Sequence, residues 1–177
     1  MRADLPREGP RRPDGVVLMG PPGSGKSFLG NQLARRGIAS YAELEPILVE
    51  KFGRGAEFLA NKRAVVRFIR ESYAQQLRDA RGPVAFESTG VSDRPLLEEL
   101  LLGHTLLLVK LETPKATCLE RVASRPQDRN IGNDREATAR FYDFWYRDIE
   151  PTYDFAVSVD GTNVEAALRD VARLLSS

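Results

Sequence analysis

The chain has 177 residues, a length that suits one domain and lets it bury about two thirds of the surface that its unfolded form exposes. Its 26 basic and 25 acidic residues leave a formal net charge of +1, which argues against nucleic acid or an anionic membrane as a partner. A single cysteine, Cys118, excludes an internal disulfide, and no apolar run is long enough to span a bilayer. We therefore expect a cytoplasmic protein, a monomer or a homodimer, with no membrane partner.

Residues 1–14 combine prolines and arginines with hardly any apolar side chains. Such a segment cannot bury enough surface to offset the entropy lost on ordering, so we expect a disordered extension ahead of one domain over residues 15–177. Asp4, Glu8 and Asp14 nearly cancel the arginines, which disfavours a basic arm for nucleic acid.

The strongest motif is a glycine-rich stretch between a predicted strand at 16–19 and a predicted helix at 28–36. It matches the phosphate-binding pattern G-x-x-x-x-G-K-[ST], in which glycines let backbone N–H groups point at an anion and the helix adds its positive end. The residues predicted to contact phosphates are Gly20, Pro21, Pro22, Gly23, Ser24, Gly25, Lys26, Ser27 and Phe28. Among them, Lys26 supplies a cation to the β- and γ-phosphates, and the Ser27 hydroxyl is a ligand for Mg²⁺.

Three glutamates follow predicted strands, at the edge of an open α/β sheet where ligands bind. Glu43 and Glu45 come after a short strand at 38–41, where they suit metal binding or proton transfer. The alternative is that both simply open the next helix. Glu87 follows a buried strand at 84–86, and because burying a carboxylate without a partner is costly, we expect it to hold Mg²⁺ through water.

A long helix is predicted over residues 56–81, with arginines along one face. These arginines are Arg63, Arg67, Arg70 and Arg78. Most such stripes are solvated, but one or two members could face the phosphates, and Arg67 is kept as a candidate.

The segment 125–135 is polar and rich in residues that break helices. It contains Arg125, Arg129 and Arg135. We interpret it as a lid, because a loop that closes over a transferring phosphate needs cations and must open again for product release.

The remaining predicted elements are a helix at 92–102 capped by Ser92, a strand at 104–112, a helix at 114–125, an aromatic-rich helix at 136–148, a strand at 155–159 and a helix at 163–175. Cys118 shares the apolar periodicity of its helix and is interpreted as a core residue rather than a nucleophile. His104 lies at the amino end of its strand, away from the ligand edge, and is interpreted as structural. The alternation of strands and helices predicts an α/β fold with a parallel sheet covered on both faces.

From the phosphate loop to the last helix, the chain resembles the small P-loop kinases, above all shikimate kinase and its gluconate kinase-like relatives. The matching stretches are 20–27, Glu43-Leu44-Glu45 where shikimate kinases carry Asp-x-Asp, Thr89-Gly90 at their glycine run, 118–125 before the lid, and 151–160. The resemblance implies a three-layer αβα sandwich around a five-stranded parallel sheet. It also implies ATP and Mg²⁺ as cofactors and phosphoryl transfer to a hydroxyl of a small molecule.

The resemblance also assigns roles to the candidate residues. Lys26 and Arg125 would stabilise the transferring phosphoryl group. By analogy with the Asp-x-Asp order, Glu45 would be the base and Glu43 would lie on the metal side, with Glu87 as a further candidate for either role.

The chain departs from shikimate kinases at the acceptor. Glu150 replaces the arginine that grips the substrate carboxylate, so we expect another acceptor, neutral or cationic. Thr89, Gly90 and Arg67 are further candidates for acceptor contacts. Two alternatives stay open: a nucleotide or polynucleotide-end kinase, and a nucleotide-dependent regulatory ATPase.

Overall fold

Five parallel strands form one sheet, in the order β2-β3-β1-β4-β5, in a computed structural model that describes residues 12–125 and 135–177. The strands are β1 Gly15–Met19, β2 Ser40–Tyr41, β3 Val84–Ser88, β4 Leu106–Glu112 and β5 Val157–Asp160. The predicted five-stranded parallel sheet is confirmed. Residues 1–11 of the expected extension and 126–134 of the expected lid, including Arg129, lie outside the described residues.

Helices cover both faces of the sheet. They are α1 Lys26–Arg35, α2 Glu45–Phe52, α3 Gly55–Ala60, α4 Lys62–Asp79, α5 Arg94–Gly103, α6 Lys115–Ala123, α7 Arg135–Phe144 and α8 Val164–Leu175, with a π-helix at Trp145–Ile149 and a 3₁₀ turn at Glu150–Thr152. Val17 and Met19 of β1 face one core with α4, α5 and the π-helix, whereas Val16 and Leu18 face a second core with α1 and α8. Because successive strand residues point to opposite faces, β1 is apolar at every position and the fold has three layers.

Several predicted boundaries are wrong. The single helix expected at 56–81 is two helices, α3 and α4, because the chain turns at Asn61, whose φ of −93° and ψ of +10° lie outside the helical region. Asp93 rather than Ser92 precedes α5, and no side chain caps that helix. β4 begins at Leu106 because His104 ends α5, its backbone N–H bonded to the carbonyl of Leu100.

The helices of the described ranges include none that is long and apolar enough to cross a membrane.

Candidate active site

The phosphate loop joins β1 to α1 and is shaped by close packing against α6. Gly23 has a φ of +83°, and a β-carbon there would lie 2.3 Å from the backbone oxygen of Cys118. Only glycine meets both conditions without strain. Cys118 is fully buried, which confirms its interpretation as a core residue.

Lys26 crosses the loop from the first residue of α1. Its Nζ donates to the backbone oxygens of Gly20 at 2.9 Å and Pro21 at 3.1 Å. Burial lowers the pKa of Lys26, while the charge of Glu87 opposes that shift. An ammonium group held beside the loop in this way fits a nucleotide's phosphates, because phosphate oxygens offer a charged replacement for the two carbonyl oxygens.

Ser24 and Arg121 fix the inner side of the loop. The Ser24 hydroxyl is fully buried and has no hydrogen-bond partner within the described ranges, whereas the backbone oxygen of Ser24 accepts from the Thr113 hydroxyl at 2.9 Å. Arg121, which sequence reasoning missed, donates from α6 to the backbone oxygens of Gly23 at 3.3 Å, Ser24 at 3.4 Å and Gly161 at 3.1 Å. The loop is therefore held by a guanidinium that also lines the cavity above it.

Two cavities meet beside Lys26. The larger, about 500 Å³, lies above the phosphate loop and is lined by Phe28 and Glu43 among others. The smaller, about 290 Å³, is lined by Lys26 itself together with Leu44 and Asp93 among others. Ser27, Glu45 and Arg125 line both, so these three side chains stand at the junction.

Glu87 is held by hydroxyl groups. The Ser27 hydroxyl donates to its Oε2 at 2.8 Å, and the Tyr41 hydroxyl donates to its Oε1 at 3.0 Å. Burial, reinforced by the negative charge of Glu87, raises the pKa of Tyr41 well above its ordinary value, so Tyr41 stays a donor. Gly30 makes room for this contact, since a β-carbon there would lie 2.5 Å from the Tyr41 ring.

The paired glutamates diverge. Glu43 accepts from the side-chain amide of Asn31 on α1 at 3.0 Å, in the larger cavity. Glu45 is the first residue of α2, and its Oε2 lies 3.5 Å from Nη1 of Arg125. Glu45 thus opens a helix and also reaches the junction of the two cavities. Its place at the start of α2 is therefore compatible with a role in proton transfer.

Asp93 is the second residue that sequence reasoning missed. It lines the smaller cavity, just before α5. Burial raises its pKa, while a hydrogen bond with Ser88 and the charge of Lys26 partly offset that effect. Asp93 lies five residues beyond the end of β3, and the sequence pattern predicts that it belongs to a helix that begins at Ser92 rather than to the ligand edge of the sheet.

The expected acceptor residues are only partly brought together. Thr89 lines the smaller cavity, and its backbone oxygen accepts from the indole of Trp145 at 2.8 Å. Gly90 is buried, and its backbone oxygen accepts from the Tyr153 hydroxyl at 2.8 Å. In the described ranges, Arg67 and Glu150 line neither cavity: Arg67 is exposed on α4, and Glu150 pairs with Lys110 at 2.9 Å.

Oxygen ligands for Mg²⁺ are present but few. No group of three or more His, Cys, Asp or Glu side chains that could hold a metal ion occurs in the ranges 12–125 and 135–177. The adjacent oxygens of Ser27 and Glu87 nevertheless suit a small, hard cation that takes its other ligands from phosphates and water.

A parallel sheet with a glycine-rich loop between β1 and α1, ending in Lys26 and Ser27, defines a P-loop nucleotide-binding fold. The chain belongs to the AAA domain family, whose model matches residues 16–147. No curated protein matches the sequence.

Solved kinase structures share this fold. A gluconokinase from Sinorhizobium meliloti 1021 is 21% identical with a TM-score of 0.58, over 94% of each chain. A shikimate kinase from Bacteroides thetaiotaomicron (15% identity, TM-score 0.62) and a deoxyadenosine kinase from M. mycoides with bound dATP (15% identity, TM-score 0.57) each match 92% of this chain and 99% of their own. At such identities the likeness is one of fold.

Proposed function

We propose that the protein is an ATP-dependent phosphotransferase that moves the γ-phosphoryl group to a hydroxyl of a small molecule other than shikimate. The observation that carries the proposal is the pair of cavities that meet at Ser27, Glu45 and Arg125. A phosphotransferase needs a donor site and an acceptor site that share one point, whereas a regulatory ATPase needs only the first. The kinase folds of the gluconokinase, shikimate kinase and deoxyadenosine kinase support the same assignment.

On the donor side, the loop and Lys26 bind the phosphates. Lys26 leaves the backbone oxygens of Gly20 and Pro21 for phosphate oxygens, and Arg125 moves its guanidinium from Glu45 toward the transferring group. Two cations at this point stabilise negative charge on the phosphoryl oxygens, which is the main contribution that a protein makes to this reaction.

The metal-side residues are Ser27 and Glu87. The Ser27 hydroxyl would bind Mg²⁺ directly and the Glu87 carboxylate would hold one of its waters, with Glu43 as a further water-binding group at the rim of the donor cavity. Bound there, the ion neutralises phosphate charge. Tyr41 keeps Glu87 in place through its hydrogen bond.

On the acceptor side, Glu45 accepts the proton of the attacking hydroxyl. The acceptor oxygen forms a bond to the γ-phosphorus, the bond from that phosphorus to the β–γ bridging oxygen breaks, and ADP leaves. Glu45 suits the role because it lines both cavities, whereas both oxygens of Glu87 already accept hydrogen bonds from hydroxyls.

A polynucleotide-end kinase fits the structure less well. A cavity of about 290 Å³ lies at the small end of ligand pockets, which run from roughly 300 to 1,000 Å³, and it is too small for a strand end with its neighbouring bases. Arg67, the arginine that the sequence offered for phosphates, is exposed away from it.

The proposal is tested by incubating the protein with ATP, Mg²⁺ and a panel of polyols, sugar acids, amino alcohols and nucleosides, and measuring ADP. We expect ADP formation that depends on an acceptor and is lost in Lys26→Ala. Protein that binds ATP but makes no acceptor-dependent ADP across the panel would contradict the proposal and favour the regulatory ATPase.

A further inference from the structure

We propose that Asp93 binds an ammonium group of the acceptor, so that the substrate class is a small amino alcohol. The inference rests on the proposed function, because it concerns the acceptor cavity of the same site. It begins from the charges in that cavity, which is lined by three carboxylates, Glu45, Glu87 and Asp93, and two cations, Lys26 and Arg125.

Four of these five charged groups, all except Asp93, have a partner or a role in the proposed reaction. Glu87 accepts from Ser27 and Tyr41, and Glu45 lies against Arg125. Once a nucleotide is bound, Lys26 and Arg125 serve its phosphates. The surroundings of the carboxylates then become more negative than they are in the free protein.

Asp93 is the carboxylate that is left over. Its hydrogen bond is with the neutral hydroxyl of Ser88, and the cation that acts on it is Lys26, the residue that the phosphates engage. A half-buried carboxylate in this position favours a ligand that brings its own positive charge, because desolvated charges are stable only when they are paired.

The rest of the cavity wall suits a short carbon skeleton. Leu44, Leu48, Ile69 and Val122 are apolar, and Tyr73 adds an aromatic ring. An ammonium group near this ring gains a cation–π contribution in addition to the ion pair. An acidic acceptor would instead bring its carboxylate into the cavity that Asp93 and Glu87 line, and like charges that share a cavity are unfavourable.

The test compares acceptors that differ only in the amine. Serinol and glycerol share a three-carbon skeleton with terminal hydroxyls, ethanolamine pairs with ethylene glycol, and glycerate supplies the acidic counterpart. We expect the wild-type kcat/KM to favour the amine of each pair by about 10- to 100-fold, as for one charged hydrogen bond. Asp93→Asn should remove that preference through KM and leave the affinity for ATP unchanged.

Two further variants separate charge from structure. Asp93→Glu keeps the charge and should retain part of the preference, whereas Asp154→Asn, an exposed aspartate that lines neither cavity, should retain all of it. The melting temperature of each variant reports whether it folds. Serinol binding to the wild-type protein in the presence of a non-hydrolysable ATP analogue, followed by calorimetry, gives a readout that does not need turnover.

The outcomes distinguish the two proposals. Efficient phosphorylation of glycerol or glycerate in preference to the amines would overturn the role of Asp93 and leave the phosphotransferase standing. The absence of turnover with every acceptor would contradict the phosphotransferase, and in that case serinol binding that Asp93→Asn abolishes would still support an ammonium site. An amine preference that Asp93→Asn retains, or no serinol binding at all, would overturn the inference.

Discussion

The donor half and the acceptor half of the site are built in different ways. The phosphate-binding part of the donor half is one continuous stretch, 20–27, whose groups are mostly backbone atoms held by Lys26 and Arg121. The acceptor half is assembled from side chains at the start of α2, on α4, at the end of β3 and before α5. A continuous stretch with fixed geometry binds what all its substrates share, whereas a set of separate side chains can change with the acceptor.

The largest expected effect lies where the halves meet. Glu45→Gln keeps the shape of the side chain but cannot take up a proton, so kcat should fall by about 10²–10⁴-fold. The affinity for ATP should change little. Steady-state kinetics at saturating ATP, together with calorimetric ATP binding, measure both.

Glu43→Gln is the matched control for Glu45, because Glu43 is bound to Asn31 on the donor side. It should retain most of kcat and require more Mg²⁺. If both variants turn over at the wild-type rate, the base must be sought at Glu87 or Asp93, and the division of labour between the two glutamates is wrong.

Lys26→Ala should lower both the affinity for ATP and kcat. One preorganised charge aimed at the transferring group is worth roughly 10²–10³-fold in kcat, and the same contact exists in the bound nucleotide. The protein should remain folded, because burial lowers the pKa of Lys26 and its charge therefore does not favour folding. A Lys26→Ala protein with unchanged ATP affinity and turnover would contradict the role of Lys26 in phosphate binding.

Glu87→Gln should lower activity to an intermediate extent, and added Mg²⁺ should restore part of that activity. Groups that hold a metal's waters typically contribute about 10–100-fold, and excess Mg²⁺ should restore part of the loss. Tyr41→Phe removes only one hydrogen bond to Glu87 and should show a weaker form of the same dependence. A loss in Glu87→Gln that is independent of Mg²⁺ concentration would instead favour Glu87 as the base.

A smaller effect concerns stability and pH. Because burial raises the pKa of Asp93 above its ordinary 3.8, the folded protein holds this proton at pH values where the unfolded chain has released it. The contribution of Asp93 to the free energy of unfolding therefore falls as pH rises above about 3.8, and the charge of Lys26 only partly offsets this loss. Asp93→Asn should raise the melting temperature relative to wild type at pH 7, and the gain should shrink toward pH 4; a gain that grows on acidification would contradict the direction of the shift.

The same division explains what could be predicted from the sequence. The phosphate loop and the parallel sheet follow from continuous patterns, and they are the parts that the structure confirms. Asp93 and Arg121 were missed because each reaches the site from a neighbouring element, and nothing in the spacing of residues shows which helix packs against the loop. The spacing likewise gives no sign that Glu150 pairs with Lys110.

Arg67 gives the smallest expected effect and defines the outer limit of the acceptor half. Its side chain is exposed on α4, and exposed substitutions usually change stability by less than about 0.5 kcal/mol. Arg67→Ala should keep kcat/KM within about two-fold of wild type, because the side chains with which α4 lines the cavity are those of Ile69 and Tyr73. A loss of tenfold or more would extend the acceptor site onto the exposed face of α4. If that loss also varied steeply with salt, as phosphate contacts do, the polynucleotide-end kinase would regain support.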